Sequence, residues 1–158
     1  MFQVTALDYA PFAPLFALDE AALAAHRAQR HIAGEGAPCR VTLEDARPGE
    51  TLLLVNYLHQ PADTPYHAAH AIYVREGAVR AAPAPGEIPP ALASRTLSLR
   101  AFDAAGNIVA AGLADGRDAA PVIDALLAEP AVAYLHAHYA KYGCYAARID
   151  RAPPSPRT

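Results

Sequence analysis

The chain has 158 residues, 53% of them apolar, and a formal net charge of −3 without a basic cluster, which argues against a binder of the nucleic-acid backbone. No apolar run approaches the ~20 residues a helix needs to cross a bilayer, and the opening MFQVTALDY lacks the basic start, apolar stretch and cleavage site of an export signal. Neither a nucleic-acid nor a membrane partner is expected, and the expected location is the cytoplasm. There Cys39 and Cys144 read as free thiols, with a regulatory disulfide between them left open. Twelve arginines against the single Lys141, with abundant alanine and proline, look like the codon bias of a GC-rich bacterial genome.

A domain of this length buries roughly 70% of its unfolded surface, so no metal or disulfide is needed for folding. Phe2, Val4 and Ala6 alternate with polar residues and predict an opening strand, which Asp8, Pro11 and Pro14 end. Asp19 is placed to cap a helix running to about Arg27, with Glu20 in its first turn and Leu23 as its only large apolar residue, which makes it peripheral. CRVTL, residues 39–43, predicts a strand, and Arg47-Pro48-Gly49 a turn. The continuous apolar run TLLLVNY, 51–57, fits a strand covered on both faces, HQPADTP, 59–65, a loop, and AHAIYVRE, 69–76, another strand.

Residues 77–90 hold four prolines and two glycines and predict a loop or flap. Strands at 96–103 and 108–112 flank Ala104-Ala105-Gly106-Asn107 as a hairpin. Asp118 is placed to cap a helix carrying Val122, Ile123, Leu126 and Leu127, which Pro130 ends. The tally is seven or eight strands and two helices joined by hairpin-length links. It predicts an α+β fold, a bent, mainly antiparallel sheet or partial barrel over residues 1–151, with a disordered tail at 152–158.

The chemistry concentrates in VAYLHAHYAKYGCYAARID, residues 132–150. Alternation puts Tyr134, His136 and His138 on one side of a strand and Leu135, Ala137 and Tyr139 on the other. A turn through Ala140 to Tyr142 would pair Tyr139 with Gly143, His138 with Cys144, His136 with Ala146 and Tyr134 with Arg148. The polar face would then carry Cys144 and Arg148 beside the histidines, while Leu135, Tyr145 and Ile149 pack into the core.

On that face, two imidazoles roughly 7 Å apart could serve one zinc or iron ion, with His70 or His59 arriving from elsewhere. Their bland alternative is a pair of hydrogen-bonded histidines in a half-buried sheet. Cys144 beside His138 could be a nucleophile with its base, oriented by Asp150, Asp103 or Asn56, although most free cysteines are small buried hydrophobes. His67 and His70 form an HxxH without the HExxH of a zincin, and His70, alternating with Ile72 and Val74, reads as a core histidine. Arg40, Arg75, Arg100 and Arg148 fall in predicted strands, where arginine usually faces water; two converging on the histidines would hold an anion. No GxSxG, P-loop, Rossmann glycine pattern or paired CxxC is present.

The blocks CRVTLEDARPGETLLLVNYLHQPADTPYHAAHAIYVRE, SLRAFDAAGNIV and VAYLHAHYAKYGCYAARID together resemble the bacterial family catalogued as domain of unknown function 1203. The resemblance runs over nearly the whole chain and implies a small single-domain bacterial protein, without assigning a role to any residue. From the residues themselves, the expected function is a small enzyme or small-molecule binder with a His/Cys/Arg pocket. His136, His138 and Cys144 are the candidate catalytic groups, and Arg40, His59, His70, Arg100 and Tyr145 the candidate groups for a small anionic substrate. His136 and His138 double as metal ligands. The competing expectation is a non-catalytic, homodimeric interaction domain using the same face; transcriptional regulation is disfavoured by the acidic balance.

Overall fold

Alternating burial along the strands sorts the chain into layers. The computed structural model describes residues 1–153. Its strands are β1 (Phe2–Thr5), β2 (Ala28–Ile32), β3 (Thr51–Gln60), β4 (Ala68–Arg75), β5 (Thr96–Phe102), β6 (Ile108–Asp115), β7 (Tyr134–Tyr139) and β8 (Tyr145–Arg151). They form two antiparallel sheets, one ordered β1-β8-β7-β5-β6 and the other β2-β3-β4. The helices are short: α1 (Glu20–Ala25), α2 (Pro90–Ala93) and α3 (Ala119–Ala128), with 3₁₀ turns at Ala13–Ala17 and Gly116–Asp118. The architecture is α+β with neither sheet closed into a barrel, and no helix among the described residues is long and apolar enough to cross a membrane.

One face of the five-stranded sheet is apolar. Leu97, Leu99 and Ala101 of β5 and Leu135, Ala137 and Tyr139 of β7 pack with Ile123 and Leu127 of α3 and Leu92 of α2. Each fully buried leucine or isoleucine contributes about 2 kcal/mol by leaving water. The 3₁₀ turn before α3 lies so close to α2 that a Cβ on Gly116 would sit 1.9 Å from the Leu92 carbonyl oxygen, a place only glycine can fill. The three-stranded sheet covers part of the opposite face. Leu53 and Val55 of β3 and Ile72 and Val74 of β4 form a second core with Leu23 and Tyr145.

Four local expectations differ. Residues 39–43 form a tight turn, not a strand: the Cys39 N–H donates to the Glu44 carbonyl, the Leu43 N–H donates to the Cys39 carbonyl, and Leu43 is left-handed at φ 54°. β3 continues through His59 and Gln60, the first two residues of the stretch whose turn formers predict a loop. The unforeseen β2 pairs along the other edge of β3, so AQRHI, polar at its centre, is a strand by virtue of its neighbour. Asp19 does cap α1, accepting from the Ala22 N–H at 2.9 Å, but Asp118 makes no capping bond, and Asp115 instead caps the preceding 3₁₀ turn. Of the predicted tail, Ala152 donates its N–H to the Met1 carbonyl, and residues 154–158 lie outside the described residues.

The β7–β8 register decides the site. Gly143, at φ 76°, closes a turn in which the Gly143 N–H donates to the Tyr139 carbonyl and the Tyr139 N–H to the Cys144 carbonyl. His138 therefore pairs with Tyr145 instead of Cys144, and a bulge before the next pair sets Ala137 against Ala147 and His136 against Arg148. A one-residue slip exchanges the faces of a strand. Tyr145 joins the histidine face and Cys144 leaves it, while the bulge at Ala146 returns Arg148 to the expected side.

Candidate functional site

Where the two sheets face each other, three histidines meet. His136 and His138 come from the polar face of β7, and His59 from the inner face of β3, in line with Leu53, Val55 and Tyr57. One potential ligand nitrogen from each lies within 4.8 Å of the others. Their residual exposures are 9% for His59, 3% for His136 and 1% for His138. His59 stacks on Tyr145 with ring centres 5.3 Å apart, and both β7 imidazoles meet that tyrosine edge-on. The β7 rings are 6.3 Å apart, close to the spacing of alternate residues on a strand.

Burial discourages the charged form of each ring. It holds His59 at a pKa of about 4, with Arg100 and His70 adding repulsion. It holds His136 at about 3, helped by His59, His138, Arg148 and Arg100. It also brings His138 to about 3, against an upward pull from the Gly143 carbonyl. All three are therefore neutral at physiological pH, the form that binds metals.

The His138 Nδ1 lies 2.9 Å from the Gly143 carbonyl oxygen. That oxygen can only accept, so Nδ1 carries the hydrogen and Nε2 carries the lone pair. A bond of this kind fixes the ring and its tautomer, as metal-binding histidines require. Three buried nitrogens, His59 Nδ1, His136 Nδ1 and His138 Nε2, have no hydrogen-bond partner among the described residues. Gln60 donates to the Tyr134 hydroxyl at 2.9 Å and ties the end of β3 to β7 beside the cluster.

Arg100, opposite His136 in the β5–β7 register, is half-buried and makes no hydrogen bond or ion pair among the described residues. Arg148, on the other flank, is held by two oxygens of Asp150 and lies 4.0 Å over the Tyr134 ring. Asp150 is thus engaged with an arginine, Asp103 closes the turn before Asn107, and Asn56 faces out; none of the three orients an imidazole as expected.

The remaining predicted residues gather elsewhere. Arg40, Cys144 and His70 line a cavity of about 720 Å³ with Tyr139, Arg95 and Lys141. Cys144 Sγ lies 3.2 Å from Arg40 Nη2, so the thiol's partner is a guanidinium and not the His138 ring. His70 is half-buried, not the sealed core histidine its alternation with Ile72 and Val74 predicts. Tyr139, whose signal was hidden among apolar neighbours, has a buried hydroxyl without a partner among the described residues, and burial pushes its pKa to about 12. Cys39 and Cys144 are both free, and Cys39 Sγ accepts from the Arg75 N–H.

The family model described as "Protein of unknown function (DUF1203)" matches residues 36–151. The match begins after β2 and contains all three sequence blocks that carry the resemblance, together with every site residue named above. No curated protein and no solved structure matches the chain. With well over half of its length matched, the chain belongs to the DUF1203 family of proteins of unknown function.

Proposed function

We propose that the protein is a small bacterial, cytoplasmic metalloprotein in which His59, His136 and His138 hold a zinc ion that binds and activates a small anionic ligand. The convergence of three buried, neutral imidazoles, each with an unpartnered nitrogen, carries this reading. Three histidines and an open fourth position make a catalytic type of zinc site, suited to lowering the pKa of bound water. Iron oxygenase sites usually add a carboxylate, which this ligand set lacks. Zinc keeps its nitrogens about 3.3 Å apart at tetrahedral geometry, so rings now within 4.8 Å need small rotations to close on it. Arg100, with no counter-ion among the described residues, supplies the charge that draws the anion to the fourth position. Two free thiols suit a reducing compartment.

Elemental analysis of protein made without a histidine tag tests the reading. One zinc per chain is expected, lost in a His136→Ala, His138→Ala double variant. A wild-type protein that neither retains zinc nor takes it up in calorimetric titration ends the proposal.

A homodimeric docking role is the second reading, favoured by one feature. β6 is an edge strand whose outward Val109 and Leu113 are 46% and 71% exposed. A chain that sediments as a monomer at high micromolar concentration would dispose of it.

A further inference from the structure

Arg40 is the largest fully buried side chain and is 1% exposed. Its Nε donates to the Tyr145 carbonyl at 2.7 Å, Nη1 to the Pro38 carbonyl and Nη2 to Cys144 Sγ. These contacts are to two backbone carbonyls and a cysteine sulfur, and no carboxylate pairs with it among the described residues. Arginine does not shed its proton, so a buried guanidinium normally needs a counter-ion. Three of its five N–H groups are used, and two remain.

Beside it is Tyr139, whose ring lies 4.9 Å from the Arg40 guanidinium and 5.2 Å from that of Arg95. The Tyr139 hydroxyl is buried without a partner. Both residues line the 720 Å³ cavity, a volume within the usual range for small-molecule pockets. Lys141 adds a second cation without an ion pair among the described residues, and Arg95 is neutralised by Asp45 at 2.8 Å. Glu35 is the only acid in the lining among the described residues, whereas Leu54, Tyr73 and Tyr142 give it apolar walls.

We infer that this cavity is a second ligand site, distinct from the three-histidine cluster, which takes the carboxylate of a small organic acid with a flat apolar body. The carboxylate supplies the counter-charge for Arg40 and accepts from the Tyr139 hydroxyl. Two spare guanidinium N–H groups and one phenol suit a two-oxygen anion better than a phosphate, which presents three strong acceptors. The aromatic walls take the rest of the molecule.

Benzoate and inorganic phosphate, each titrated into the untagged wild-type protein by calorimetry and thermal shift, form the test. Benzoate is expected to bind saturably and to bind equally with a chelator present, which separates this cavity from a metal-bound carboxylate. Tyr139→Phe removes one oxygen from a strand that keeps its ring packing. It is expected to fold at least as stably as wild type and to bind benzoate about tenfold more weakly, the loss of a hydrogen bond to a charged acceptor. No saturable benzoate binding, an unchanged affinity in Tyr139→Phe, or binding abolished by the chelator would each overturn the inference. Phosphate binding in preference to benzoate would overturn the choice of a carboxylate.

Discussion

Strand β7 borders two buried polar clusters of opposite chemistry. Its even-numbered face brings His136 and His138 to His59, and its last odd-numbered residue, Tyr139, lies between Arg40 and Arg95. Both places bury ionisable groups without counter-charge among the described residues, and they resolve that problem differently. An imidazole can release its proton, and burial makes all three do so, leaving lone pairs that seek a cation. A guanidinium has no such escape, so Arg40 keeps its charge and its spare donors seek an anion. The side chain's own pKa, more than its depth, decides which kind of ligand a buried polar site attracts.

Acid should separate the two most sharply. The histidines are depressed from an ordinary 6.5 to about 4, 3 and 3, so between those values the unfolded chain binds protons that the folded chain does not. Their contribution is intact above pH 6.5 and is lost progressively as pH falls toward 4 and then 3. Each can add a slope of up to about 1.4 kcal/mol per pH unit. For metal-free protein, the unfolding free energy from urea titrations should fall between pH 7 and pH 5 by on the order of 5 kcal/mol in total. His138→Gln should remove about a third of that slope. Stability flat across this interval would mean that the rings are already charged or hydrated in the folded state.

Removing metal comes next. A ligand present at a thousand times its dissociation constant stabilises by about 4 kcal/mol, so a chelator should lower the melting temperature of the wild type. The same chelator should leave the His136→Ala, His138→Ala variant unchanged. An equal shift in both proteins would place the metal outside the cluster. The two unpaired arginines offer a smaller contrast, of about 3 kcal/mol. Arg40→Met opens space in a packed region and strands the Tyr145 and Pro38 carbonyls, a loss of about 3 kcal/mol or more. Arg100→Met breaks no internal bond and should change stability by less than about 1 kcal/mol while weakening anion binding. Similar losses in the two variants would show that Arg100 is also structural.

Much of this fold could be read from pattern. The strands around TLLLVNY and YLHAHY announce themselves by apolar runs and alternation, because side chains on such strands are sorted by burial. β2 could not be read, since its pairing with β3 and not its own composition makes it a strand. His59 was legible as a residue type but not in its place: the proline and aspartate after Gln60 obscured the end of β3, and so hid the third imidazole. The face shared by His136 and His138 followed from period-two geometry. The exchange of Cys144 for Tyr145 did not, because it depends on where a left-handed glycine lets the chain turn. Arg40, whose type predicts an exposed position, is buried by a turn that composition could not reveal.

That exchange makes the smallest expected effect the most discriminating about the hairpin. Had Cys144 faced the histidines, its thiolate would have been a natural fourth zinc ligand, and Cys144→Ser would strip or weaken the metal. Its sulfur instead accepts from Arg40 on the other side of the ribbon. Serine keeps an acceptor there but shortens its reach, so the cost should stay below about 1 kcal/mol. Zinc content should be unchanged, because none of the three converging nitrogens belongs to this contact. The benzoate affinity of the same variant should move only slightly, since the guanidinium retains its two carbonyl bonds. A loss of zinc with a preserved fold would put the thiol back among the imidazoles and require the expected pairing of His138 with Cys144 in place of the bulged one.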